Sequence, residues 1–297
     1  MATTSDERPP VLDRLRMPPA VLRALGCTHC GAALDAAGNA LRCAAGHSFD
    51  VAREGYANLL TGHRAAGTGD SAAMVQARAG FQASGHYAPL ADTLAEAART
   101  AAGGAGLVAD LGAGTGYYLG RVLDDRPESV GVAADVSRYA LRRAAKAHPR
   151  SGAVGCDVWR RLPLRDGAAT VLLNVFAPRN APEFHRVLNP GGALIVATPT
   201  VRHLAELRAP LGLIEVDPAK DERLAEGLGG HFTAGESRRV DVPLLLDRSD
   251  AAAVVAMGPS ARHVDPAELD RRVAELPAPM PVTASFSVAV YRPLRRR

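Results

Sequence analysis

From Leu107 onward the chain repeats one pattern: a short apolar run, a turn, then a longer stretch of helical periodicity. The runs are GLVADLG at 106–112, VGVAAD at 130–135, AVGCD at 153–157, TVLLNVF at 170–176 and GALIVATP at 192–199. Runs this short and this apolar suit strands buried on both faces. Their alternation with helices argues for a parallel sheet, and right-handed crossovers make it doubly wound. The C-terminal part differs. VDVPLLLD (240–247) and VTASFSVAVYRP (282–293) flank a helix-like segment, and the second alternates Val282, Ala284, Phe286, Val288 and Val290, as an edge or antiparallel strand does. The expected fold is α/β, with a mostly parallel, seven-stranded sheet.

Ahead of this region the pattern breaks into shorter pieces. Residues 1–20 are polar and carry Pro9, Pro10, Pro18 and Pro19, which predicts a loose, disordered extension. LLTGHRAAGTGDSAAM (59–74) reads as a connector into an alanine-rich helix from about Ala72 to Ser84. The expected division is an extension over 1–20, a small module over 21–64, a connector helix over 65–85 and the α/β domain over 86–297.

Composition narrows this only slightly. The 297 residues are 47% hydrophobic and 22% charged, enough apolar material for a substantial core. There is no apolar run long enough to span a membrane and no signal-peptide core, so a cytoplasmic protein without a membrane partner is expected. The net charge of +4 is uneven. Residues 138–166 hold Arg138, Arg142, Arg143, Lys146, Arg150, Arg160, Arg161 and Arg165 against Asp157 and Asp166, and the chain ends in RPLRRR. Such clusters are either solvated helix faces or a footprint for a polyanion. Arg138, Arg142, Arg143 and Lys146 are the candidate nucleic-acid contacts.

Three of the four cysteines fall in CTHCGAALDAAGNALRCAAGHSFD (27–50), spaced as Cys27-x2-Cys30-x12-Cys43-x3-His47. Two glycine-containing knuckles would bring three sulfurs and one imidazole to tetrahedral positions about a zinc ion. A closed set of four protein ligands makes such a zinc structural, supplying folding energy that some 40 residues cannot gain from a core. The competing reading is buried cysteines beside an incidental histidine, or one disulfide.

LVADLGAGTGYY places Gly112, Gly114 and Gly116 after an apolar strand, where backbone can approach a ligand closely. A dinucleotide fingerprint would need glycine at 117, which is Tyr117. Asp110 precedes the glycines, Asp135 ends the next strand and Asp157 the third, a register that fits a nucleoside-containing ligand across the strand ends. Helix capping at Asp135 and a plain loop role at Asp157 are the competing readings.

DLGAGTG and LNPGGALIVATP resemble class I S-adenosylmethionine-dependent methyltransferases. The order of zinc knuckle, FDVAREGYANLL, GDSAAMVQAR, GHYAPL, glycine loop, NVFAPRN and ATPTVRHLAEL is narrower, and resembles the RlmA-type 23S rRNA (guanine-N1)-methyltransferases, most closely their tylosin-resistance branch. The resemblance runs from Leu25 to Pro293. It implies a Rossmann-like fold, S-adenosyl-L-methionine as donor, structural zinc at Cys27, Cys30, Cys43 and His47, and cofactor contacts at Tyr87, Gly114, Thr115 and His203. It implies methylation of guanine N1 in a 23S rRNA hairpin lining the peptide exit tunnel, with a part in macrolide resistance. One departure is Arg262 in MGPSARH, where members of the family often carry Trp.

A guanine delivered from a loop or flipped out needs a pocket that stacks on it. NVFAPRN offers Asn174 for the base edge, Phe176 for stacking and Arg179 for a phosphate or the guanine O6. Two other functions fit less well: methylation of a small metabolite, and a non-catalytic RNA-binding assembly factor. Association into a homodimer is left open by the sequence.

Overall fold

The computed structural model describes residues 10–62, 69–213, 220–262 and 265–295. In chain order the N-terminal part forms α1 (Val11–Arg14), α2 (Pro19–Ala24), β1 (Asp35–Ala37), β2 (Ala40–Arg42), β3 (Ser48–Asp50) and β4 (Ala57–Asn58). Then come α3 (Ala72–Ala83), α4 (Ala88–Ala101), β5 (Leu107–Leu111), α5 (Tyr117–Asp124), β6 (Val130–Asp135), α6 (Arg138–Ala144), β7 (Ser151–Gly155), β8 (Ala169–Val175), α7 (Ala181–Val187) and β9 (Leu188–Pro199). The C-terminal part adds α8 (Ala205–Leu211), α9 (Lys220–Gly229), β10 (Phe232–Leu246), α10 (Arg248–Ala256), α11 (Pro266–Glu275) and β11 (Met280–Pro293).

The main sheet runs β10-β11-β9-β8-β5-β6-β7-β4. Strands from β9 to β4 are parallel, while β11 lies antiparallel between β9 and β10. The order reverses at β5, and there the strand ends open a crevice of the kind α/β folds use for ligands. Two details bear on the sequence reading. The alternating strand β11 is antiparallel to both neighbours, one of the two readings its pattern allows, and β10 covers its outer side. The sheet also has eight strands rather than seven, since Ala57 and Asn58 of the N-terminal module pair with Val154 and Gly155 of β7.

Residues of β5 alternate between two cores. Val108 joins the layer formed with α4, α5 and α10, while Leu107, Ala109 and Leu111 join one that includes Leu25, Cys27, Leu41, Phe49 and Val51. The N-terminal module therefore covers one face of the sheet and shares its core. Backbone bonds add to this: Gly26 N–H donates to Pro163 O at 3.1 Å and Arg165 N–H to Ala24 O at 3.0 Å.

The expected loose extension over residues 1–20 fails from Pro10 onward; residues 1–9 lie outside the described part. Val11 and Leu15 are buried, Val11 N–H donates to Gly38 O at 3.0 Å, and Met17 fills the space that a side chain at Gly152 would need. The prolines mislead because Pro10 and Pro18 stand just before α1 and α2, with Pro19 in the first turn of α2, where a missing N–H has no partner to lose. Removing residues 1–17 is expected to lower the unfolding free energy by about 4 kcal/mol, at roughly 1.5–3 kcal/mol per buried apolar side chain. Denaturant titration of the truncated and full chains measures this, and equal midpoints would restore the loose-tail picture.

Candidate donor crevice and zinc knuckle

The glycine loop leaves β5 and turns sharply, with Gly112, Gly114 and Gly116 at φ of 83°, 55° and 81°. A methyl group at Gly112 would sit 2.4 Å from the Ala177 side chain, so the loop after β8 can press against it only because glycine is there. Gly112 and Ala113 both donate to Ala134 O, at 2.8 and 3.0 Å. The Asp135 carboxylate accepts from Gly114 N–H and from Ser137 N–H, each at 2.8 Å. One side chain at the end of β6 thus fixes the loop and the start of α6. Burial raises the Asp135 pKa, and these two backbone bonds oppose the rise.

Asp110 lies one residue before the end of β5 and is 1% exposed. Neither of its carboxylate oxygens has a hydrogen-bond partner among the described residues. Burial, and then the nearby Asp135, push its pKa up to about 8. An orphaned buried carboxyl beside a bare-backbone loop is what a cationic nucleoside ligand would complete. The residues therefore fit S-adenosylmethionine, which carries both a sulfonium and an ammonium. Asp157 stands two residues beyond β7, half-exposed; it accepts from Trp159 N–H at 3.0 Å and pairs with Arg160 at 3.6 Å.

An aromatic group continues the crevice. Tyr87, 2% exposed, packs edge-on to Phe81 and Phe286 with ring centroids 5.0 and 5.1 Å away. His203 Nδ1 accepts from Ser285 N–H at 3.2 Å, so the proton sits on Nε2, which lies 3.4 Å from the Tyr87 hydroxyl. Burial raises the Tyr87 pKa, so the phenol stays neutral. Phe176 has φ of 55°, an outlier for a non-glycine residue, and 42% of it is exposed. Its ring centroid is 5.4 Å from that of Phe286 and 6.4 Å from that of Tyr118.

Asn174 is fully buried and spends its amide N–H groups on Leu111 O (3.4 Å) and Pro178 O (2.9 Å). It thereby holds the loop that carries Phe176, while its side-chain oxygen has no hydrogen-bond partner among the described residues. Arg179 follows half-buried in the same loop. The side chain of Arg262 lies outside the described residues.

Two further residues of this site escape the motif reading. Arg78 donates to Asp70 and to Met257 O (2.6 Å), and its guanidinium nitrogen stands 3.3 Å from where a Gly114 side chain would begin. Gln82, one turn further along α3, accepts from the Thr115 hydroxyl at 2.6 Å. Their i, i+4 spacing in an otherwise alanine-rich helix was the available signal.

The zinc candidates do converge. The ligand atoms of Cys27, Cys30, Cys43 and His47 all lie within 4.8 Å of one another. Cys30 Sγ is 3.7 Å from Cys43 Sγ, and His47 Nδ1 is 3.5 and 3.3 Å from the sulfurs of Cys27 and Cys43. A tetrahedral zinc, with bonds of about 2.3 Å to sulfur and about 2.0 Å to nitrogen, sets its ligands roughly 3.5–3.8 Å apart, so the cluster fits. The four cysteines are free thiols, which removes the disulfide alternative.

The basic candidates are partly committed. Arg142 pairs with Glu54 of the N-terminal module at 3.1 Å, Arg143 bonds Gln76 of α3, and Arg138 bonds the Tyr139 hydroxyl at 2.8 Å. Arg142, Arg143 and Lys146 nevertheless line a groove of about 950 Å³ between α3–α4 and α5–α6, with Thr115 and Gly116 beside it. No described helix is long and apolar enough to cross a membrane.

Strand order, glycine loop and acidic strand ends define a class I S-adenosylmethionine-dependent methyltransferase carrying a zinc ribbon. Residues 25–64 match the zinc-ribbon family described as "RlmA, N-terminal", and residues 109–196 match the family "Methyltransferase domain". The chain belongs to the 23S rRNA (guanine-N1)-methyltransferases. A Streptomyces fradiae protein named 23S rRNA (guanine(748)-N(1))-methyltransferase is 51% identical, across 92% of this chain and 98% of that one. A Micromonospora griseorubida protein, a candidate 23S rRNA (guanine-N1)-methyltransferase by name, is 54% identical across 94% of this chain and its own full length. A methyltransferase from Geobacter sulfurreducens, solved with S-adenosyl-L-homocysteine, shares 17% identity at a TM-score of 0.42, across 69% of this chain and 90% of that one.

Two measurements follow from this geometry. Because the knuckle shares the sheet's core, Cys43→Ser is expected to lose the zinc and to lower the midpoint of a single transition of the whole chain; calorimetry showing an unchanged main transition would contradict this. The raised Asp110 pKa has a definite sign. The contribution is fully present below the unfolded value and is lost as pH rises through about 8. Unliganded protein should lose stability between about pH 4 and pH 8, at no more than about 1.4 kcal/mol per unit from this group, and Asp110→Asn should flatten that slope. Denaturant midpoints across pH decide, and identical slopes in the two proteins would exclude Asp110 as the source.

Proposed function

We propose that the protein transfers a methyl group from S-adenosylmethionine to N1 of a guanine in a 23S rRNA hairpin lining the peptide exit tunnel, acts in the cytoplasm, and contributes to resistance against tylosin-type macrolides. The observation that carries this reading is that one hydrophobic core joins the Cys3His knuckle to a crevice with an orphaned buried carboxyl. The relative named for position 748 supports an rRNA guanine as acceptor.

The donor supplies an electrophilic methyl on a sulfonium, and the chain's residues do the placing. Asp135 and the loop from Gly112 to Gly116, with Thr115, hold the nucleoside, Asp157 flanks its far side, and Asp110 faces the cationic end. Tyr87 and neutral His203 close the wall beside Phe286 without adding charge. Phe176, presented by its left-handed backbone, stacks on the guanine so that N1 stands in line behind the methyl carbon; the N1–C bond would form as the donor's S–C bond breaks, S-adenosylhomocysteine leaving and the N1 proton passing to water. Asn174 keeps that loop in place, and Arg179 meets a phosphate or the guanine O6. Arg142, Arg143 and Lys146 along the groove, with Arg138 on the helix of Arg142 and Arg143, bind phosphates, which makes affinity fall with salt. The zinc holds the knuckle rigid and takes no part in the chemistry.

Mass mapping of 23S rRNA incubated with protein and labelled donor should find one added methyl on a guanine, as a block to Watson–Crick pairing. Phe176→Ala should lower kcat at least about tenfold with donor affinity kept, in line with stacking energies of about 1–3 kcal/mol. Methyl transfer confined to small molecules would overturn the reading.

A further inference from the structure

Trp159 is the chain's only tryptophan, and it is 66% exposed. An exposed indole on a fixed backbone offers a flat stacking face whose ordering cost is already met. Here the backbone is fixed. Trp159 N–H donates to Asp157, and Asn180 Nδ2 donates to Val158 O at 2.9 Å and to Arg160 O at 3.4 Å. One asparagine therefore pins the peptide on both sides of the ring. Leu162 N–H donates to Glu183 at 2.7 Å, and the following residues are stitched to the zinc-bearing module through Pro163 and Arg165.

The location matters as much as the exposure. The loop follows β7 at the same strand-end edge as the glycine loop, and Asn180 closes the NVFAPRN segment that carries Phe176. On its other side the Arg161 guanidinium lies against Gly31 of the first knuckle, at a spot where a side chain would clash at 2.4 Å. Arg160, Arg161 and Arg165 are all exposed around the ring's segment. The indole thus stands between knuckle and crevice, with cations at its flanks.

We propose that Trp159 is a stacking platform for an unpaired nucleotide of the RNA substrate next to the target guanine, with Arg160 and Arg161 meeting the adjoining phosphates. The inference rests on the RNA-methyltransferase reading. Aromatic faces accept any base, and neighbouring guanidinium groups select a polyanion over an apolar protein surface. A small-metabolite enzyme has no use for a rigid, exposed ring outside its crevice.

Because the chain has a single tryptophan, selective indole excitation reports on this residue alone. Titrating zinc-loaded protein with the 23S rRNA fragment that it methylates should quench the emission, whereas S-adenosylmethionine alone should not. Trp159→Ala should raise the KM for that RNA roughly tenfold, with donor affinity and zinc content unchanged, and Trp159→Phe should recover most of the loss. Emission that ignores bound RNA, or an alanine variant with wild-type KM, overturns the proposal while leaving methylation intact. Emission that shifts with protein concentration rather than RNA assigns the ring to a contact between copies and overturns it as well. If the wild-type protein methylates no RNA, the parent reading fails first and this one falls with it.

Discussion

A parallel sheet that is apolar on both faces must be covered on both, and that requirement organises the molecule. Helices α4, α5 and α10 serve one face. On the other, α7 shares the work with the N-terminal segment, whose Val11, Val21, Leu25, Leu41 and Phe49 are buried in the same cluster as Leu107, Ala109 and Val132. The knuckle module is too small to build a core of its own, and the sheet is unfinished without it. The shared core couples folding of the module to the stability of the sheet.

The same sheet sets the chemistry. The order reversal at β5 opens the crevice, and Asp135 ties the glycine loop to the start of α6 before any ligand arrives. Asp110 stands buried beside that loop, with no hydrogen-bond partner for either carboxylate oxygen among the described residues, a cost that the rest of the fold has to offset. Beside the loop packs a buried aromatic group of Tyr87, Phe81 and Phe286 with His203, and of the phenylalanines around it only Phe176 is exposed.

Much of this was legible in the residues. Buried parallel strands are apolar throughout and announce themselves, as does a glycine loop after one of them. Cys-x2-Cys and Cys-x3-His spacing is local, so the knuckles could be read without knowing the fold. What stayed hidden was long-range. Nothing near Ala57 and Asn58 says that they extend a sheet whose next strand lies almost a hundred residues away. Asn174 reads as part of a motif, and the sequence does not show that its amide N–H groups tie Leu111 and Pro178 together. Arg78 and Gln82 were concealed in a helix that reads as alanine-rich scaffold, and the prolines ahead of Val11 suggested a tail where the chain starts two short helices.

The Arg142–Glu54 pair and the β4–β7 pairing bear on how such a protein can diversify. A zinc ribbon attached by a linker can be traded between relatives like a cartridge. This one is dovetailed into its host at a strand, at a salt bridge and at a common hydrophobic layer. A new ribbon would therefore have to match Met17 against Gly152 and a strand against Val154, so exchange of the whole piece is costly while its surface side chains are free to vary.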